Sequence, residues 1–224
     1  MPQWDLNELR EFIRAERSDS EELLDIVHSI DRYNWIFLFH LDGARDALHE
    51  VIDVNNPDQK EAMSFVLGAS GRQDEYHLAK IASEAHILGA AHSARAIYDV
   101  FAFLVNRLLL ENCIPENRCN IQLLAAELPS SCIKYELETL IESYWFGYMS
   151  AFVNVVKHRM LVRHSFQVGF SDPYTGIRVG AFEYNGKTYP PYKVRDFLEG
   201  VLEVKNKIVD CGALLNKQVV RGEV

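Results

Sequence analysis

Residues 164–184 read HSFQVGFSDPYTGIRVGAFEY, and here the chain changes its period. In HSFQVGF (164–170) and GIRVGAFEY (176–184), β-branched and aromatic side chains fall at every second place, the spacing of a half-buried strand. Ser171-Asp172-Pro173-Tyr174-Thr175-Gly176 supplies the connecting turn. Asn185-Gly186 is a tight-turn pair, so Lys187-Thr188-Tyr189 is expected to add a short third strand before Pro190-Pro191 closes the excursion. Everything else carries the three-to-four spacing of helices. The expected fold is therefore all-α: one helical-bundle domain over residues 1–224, with a β-hairpin or three-stranded meander (165–190) inserted before the last helix. An isolated hairpin is marginal in water, so this one is expected to lie on the bundle or on a partner subunit.

Working outward, a long helix is predicted from about Cys132 to Val162, after the stop at Pro129-Ser130-Ser131. The longest signal runs from Asp74 to about Glu111 and ends before Pro115, and Asn120–Leu128 forms a short helix between the two. Toward the start, Trp4–Ala15 is amphipathic, and Ser18 with Glu21 reads as a capping box for a helix through residues 23–53. Asp42-Gly43 weakens that helix and Asn55-Asn56-Pro57 stops it, with Pro57 suited to the first turn of a helix carrying Ala62 to Leu67. The last helix spans about Tyr192 to Asn216, with Val194, Phe197, Leu198, Val201, Leu202 and Ile208 along one side.

The 224 residues, 48% hydrophobic, are enough to bury roughly 70% of the unfolded surface without metals or disulfides. The net charge of −9 disfavours wholesale binding to phosphate backbone, so an anionic partner must meet a local basic patch. Cys113, Cys119, Cys132 and Cys211 form no Cys-x-x-Cys pair and fit a reducing compartment. The first residues lack a secretory design, and Ile97–Leu110 is broken by Asp99, Asn106 and Arg107. A cytoplasmic protein with no membrane span is expected.

Two stripes of small residues stand out at helical spacing: Gly147, Ala151, Asn154, His158 and Ala82, His86, Gly89, Ser93, Ala96. Stripes of this kind usually mark a tight crossing of core helices, with the histidines satisfied by hydrogen bonds. The first also carries chemistry. Asn154 and His158 lie one turn apart, and Lys157, Arg159 and Arg163 gather at the same end of an otherwise acidic chain. A histidine beside cations can pass a proton to a phosphate oxygen or leaving group while its neighbours hold the added charge. Cations in a last helical turn also suit the helix dipole with no ligand present.

Asn154-Val155-Val156-Lys157-His158, near the end of the later of two long helices, resembles the signature of the HEPN superfamily of small helical bundles. The likeness covers about residues 74–164. It implies an RNA-binding or metal-independent endoribonuclease-type protein of a toxin–antitoxin or defence system, built as a homodimer. Asn154 and His158 take the catalytic places, and Lys157, Arg159 and Arg163 take the RNA-binding ones. The family's arginine precedes the polar residue, where this chain has Val153; Lys157 or Arg159 is the substitute cation. The alternative is a non-catalytic protein–protein interaction module that uses the hairpin and the acidic helical surface. No cofactor motif is present and no metal is expected: Asp25/His28 and Asp46/His49 sit about 30 Å apart on one predicted helix. Arg95 and Asp99, one turn apart, read as a structural pair, and Trp145, Phe146, Tyr148 and Phe152 as core.

Overall fold

A computed structural model describes residues 4–49, 51–53, 57–169 and 174–223. The expected turn residues Ser171–Pro173 and the stop at Asn55-Asn56 lie outside that set. In chain order the elements are α1 (Leu6–Glu16), α2 (Ser20–Asp46), α3 (Gln59–Val66), α4 (Gln73–Leu109), α5 (Ile121–Glu127), α6 (Cys132–Glu142) and α7 (Tyr144–His158). There follow β1 (His164–Val168), β2 (Thr175–Val179), β3 (Phe182–Tyr184), β4 (Lys187–Tyr189), β5 (Tyr192–Lys193) and α8 (Val194–Val220). The expected class holds: a mostly helical chain with antiparallel strands inserted before the last helix. The chain divides into two compact units, one of residues up to 35, 93–147 and from 202, the other of residues 36–92 and 148–201.

In the first unit, polar side chains set the helix ends. The Asp5 carboxylate accepts from the Asn7 and Glu8 N–H groups and opens α1. Trp4 packs its edge on Phe101, and its indole N–H donates to Asn216 Oδ1 at 3.1 Å. The first turn of α2 is held by Asp19 rather than by a Ser18 capping box: the Leu23 N–H donates to the Asp19 carbonyl. Arg17 and Arg107 grip the Asp19 carboxylate at 3.0 and 2.9 Å. The Arg17 hydrogen bond, then Arg107, holds that carboxyl down at about 2. Asn120 and Ser131 cap α5 and α6 through the Leu123 and Lys134 N–H groups. The helix predicted through Cys132–Val162 is two helices, because Ser143 takes an extended conformation and its hydroxyl accepts from the Phe146 N–H at 3.3 Å. Tyr98 and Phe101 are among the fully buried side chains here, and the Tyr98 hydroxyl donates to the Val204 carbonyl.

In the second unit, β1, β2 and β5 form an antiparallel sheet in the order β1-β2-β5, with Phe166 opposite Ile177 and Val179 opposite Tyr192. The expected third strand does not join this sheet. It pairs with β3 in a separate ribbon, Glu183 opposite Thr188, around a turn with Asn185 (φ 50°) and Gly186 (φ 76°). The break falls at Gly180, whose N–H donates to the Arg163 carbonyl at 2.7 Å; a Cβ there would lie 3.0 Å from the Arg163 Cβ. Strand β5 takes the place the third strand was expected to fill. The strands are seated on helices of their own unit. Phe166 meets Tyr76 edge-on, and Tyr76 stacks on Phe65. Tyr148 sits among the rings of Phe182, Tyr189, Tyr192 and Phe197 at 5.2–5.8 Å.

Helix α2 ends at Asp46, three residues past Gly43, so His49 lies beyond it. The α4 stripe of small residues does form a close crossing, and its partner is α2. The His40 ring lies over Gly89 and the His86 ring over Gly43. By contrast, a Cβ on Gly147 would meet open space, so the α7 stripe is no close seam at that point. Among the described residues, α4 is long and apolar enough to cross a membrane, with 56% of its most apolar window buried within the fold.

Candidate functional site

From Tyr148 onward, α7 belongs to the second unit and buries Tyr148, Met149, Phe152, Val153 and Val155. This apolar side anchors the helix, which leaves Ser150 and Asn154 partly buried and Lys157, His158 and Arg159 exposed. The helix ends when the Arg159 and Met160 N–H groups both converge on the Val155 carbonyl, at 2.9 and 3.1 Å. His158 therefore occupies the last turn of the helix.

Asn154 uses an amide hydrogen on the Ser150 carbonyl at 2.9 Å, which fixes the carboxamide along the helix one turn before His158. The Ser150 hydroxyl is enclosed and finds no hydrogen-bond partner among the described residues. Arg159 turns toward the ribbon, with its guanidinium 5.1 Å from the Tyr184 ring centroid and 3.4 Å from the Glu183 carbonyl. Arg163 stands apart from the helix. It lines a cleft of about 390 Å³ on the sheet with Ser165, Gln167 and Arg178.

Two groups were not anticipated at this end of α7. His92 of α4 is partly buried, and burial, then the Lys157 ammonium, lowers its pKa. A neutral imidazole thus stands within electrostatic reach of the α7 end. Ser150 shares the face of Asn154 and His158 at four-residue spacing, a signal the sequence did contain. His92 carried none, since its proximity to Lys157 comes from helix packing. Elsewhere in the unit, Ser83 of α4 and His164 of β1 approach through Oγ and Nε2 at 3.4 Å. His40 and His86 face each other through Nδ1 at 3.1 Å.

The structure thus brings Asn154, Lys157, His158 and Arg159 together at one helix end, with His92 opposite Lys157 and Arg163 on the neighbouring strand region. The arrangement offers an accessible imidazole, a fixed carboxamide and cations, which is a set suited to an anionic ligand. No protein-family model, no curated protein and no solved structure matches this chain.

Proposed function

We propose that the end of α7 is an RNA-facing site of HEPN-like type, with His158 and Asn154 at its centre. The observation that carries the reading is the exposure of His158 in the last turn, flanked by Lys157 and Arg159, with Asn154 held one turn behind it. In metal-independent cleavage a ribose 2′-hydroxyl gives up its proton to solvent and attacks the adjacent phosphate, forming a cyclic phosphate, and the 5′-oxygen leaves with a proton. His158 supplies that proton, and Lys157 and Arg159 stabilise the phosphorane charge. Val153 replaces the family's arginine, so the cation role falls to these two residues. The reading includes a homodimer in which two such helix ends share one RNA.

His158→Ala tests it. The variant keeps its far-UV circular dichroism and loses RNA cleavage, or loses RNA binding if the protein only binds. Identical cleavage and binding by wild type and variant defeat the reading. A second reading, a protein–protein interaction module, draws on the exposed ribbon tip at Asn185–Thr188 and on Phe39, Leu78 and Ile81, which are half or more exposed. It expects no RNA effect, and loss of a crosslinked protein partner when Lys187 and Thr188 are replaced.

A further inference from the structure

We propose that His40 and His86 clip one divalent d-block cation of the zinc or cobalt class between α2 and α4. The two Nδ1 atoms stand 3.1 Å apart. Two imidazole nitrogens on one tetrahedral ion, each at about 2.0–2.1 Å, lie roughly 3.3–3.4 Å apart, so the clip closes on the ion with a movement of a few tenths of an ångström. Both rings are held in place before any ion arrives. His40 sits over Gly89 and His86 over Gly43, where a Cβ would fall only 2.6 Å from His40 ring carbons and 2.5 Å from His86 Nδ1. Phe39 closes the side of the pair, edge-on to both rings at 5.3 and 5.6 Å. Such packing fixes ligand rotamers as a metal site requires.

Coordination through Nδ1 leaves each ring's proton on Nε2, so the ion replaces a shared Nδ1 hydrogen bond without oxidation or loss of a group. His86 also lines a groove of about 500 Å³ with Asp46, Glu75, Leu78 and Ala82. The groove gives solvent access to His86, so waters would complete the coordination shell. The pairing of one histidine from each helix, each opposite the other helix's glycine, makes the site a property of the crossing rather than of either helix.

The test is titration of tag-free, metal-stripped full-length chain with Co²⁺ by visible absorption and with Zn²⁺ by calorimetry. One ion per chain is expected, with binding abolished in His40→Ala and in His86→Gln and retained in His49→Ala. Gly89→Ala keeps both ligands but pushes the His40 ring aside, and its affinity falls roughly 10- to 100-fold, as when groups that orient a ligand are lost. Circular dichroism of each variant separates loss of the site from loss of the fold. A wild-type chain that takes up no stoichiometric ion overturns the proposal, and so does binding that survives both histidine substitutions. Either result leaves a hydrogen-bonded imidazole pair and nothing more.

Discussion

His164 Nε2 lies 3.4 Å from the Ser83 hydroxyl, which joins the first residue of β1 to the first third of α4 within the second unit. Burial, then the Lys80 ammonium, holds the His164 pKa down at about 4. An unfolded histidine titrates near 6.5, so the unfolded chain takes up this proton first as pH falls. The stabilisation is complete above about pH 6.5 and is lost between there and about pH 4, amounting to about 3 kcal/mol. His40 and His92, also lowered, act with the same sign. Urea midpoints between pH 7.5 and 4.5 check it: His164→Gln should flatten the profile, and an unchanged slope counts against the assignment.

Gly89→Ala should destabilise the α2–α4 crossing by about 1–3 kcal/mol, because the added methyl overlaps the His40 ring. The substitution by itself favours a helix by about 1 kcal/mol, so the expected sign is opposite to the propensity effect. Adding His40→Ala removes the clash, and the double variant should be more stable than the sum of the singles. Equilibrium denaturation of the four proteins gives the coupling.

Tyr148 anchors the aromatic cluster beneath the ribbon and donates its hydroxyl to the Pro190 carbonyl at 2.9 Å. Tyr148→Ala should cost about 3–5 kcal/mol. Tyr148→Phe keeps the packing and should cost no more than about 1 kcal/mol, the net value of one hydrogen bond. Near-ultraviolet circular dichroism, which reports aromatic packing, should change strongly only in the alanine variant.

Asn106 is fully buried and staples the chain reversal after α4. Its amide donates to the Ile114 carbonyl at 2.9 Å, and its oxygen accepts from the Ile114 N–H at 3.1 Å. Asn106→Ala leaves both backbone groups unpaired and should cost about 2–4 kcal/mol. Asn112 sits in this turn at φ 63° and its Oδ1 accepts from the Asn106 amide at 3.1 Å. Asn112→Gly thus suits the backbone but loses that bond, and should cost no more than about 1 kcal/mol by the same denaturation assay.

If the α7 end binds RNA as proposed, binding should weaken with salt, with a log–log slope of about −2 for a single strand when Lys157, Arg159 and Arg163 all meet phosphates. Lys157→Ala should reduce the slope by about 0.7. Fluorescence anisotropy with a short single-stranded RNA between 50 and 200 mM salt measures both. A slope near zero with intact binding would remove these cations from the interface.

Helix α4, expected from Asp74 to about Glu111, spans Gln73–Leu109, because a long unbroken helical period and a following proline leave little choice. The break at Ser143 was not legible: Glu142-Ser143-Tyr144 holds no glycine or proline, and the helical period continues through it. Only the extended Ser143 backbone and its cap on Phe146 separate α6 from α7. At the candidate site, the shared face of Asn154 and His158 followed from spacing alone. The approach of His92 to Lys157 did not, since no local pattern encodes which helix lies opposite.

Alternating and helical periods, turn pairs such as Asn185-Gly186 and the small-residue stripes are local properties, and they determined which segments are helix, which are strand, and where polar residues gather on one face. Partner choice was left to the tertiary structure: α2 rather than α7 receiving the Gly89 stripe, Lys187–Tyr189 pairing in a ribbon rather than in the main sheet, and His40 meeting His86. These outcomes depend on shape matching between side chains distant along the chain, such as a ring over a glycine, and a one-dimensional pattern holds no term for that contact until the backbone has brought the two faces together.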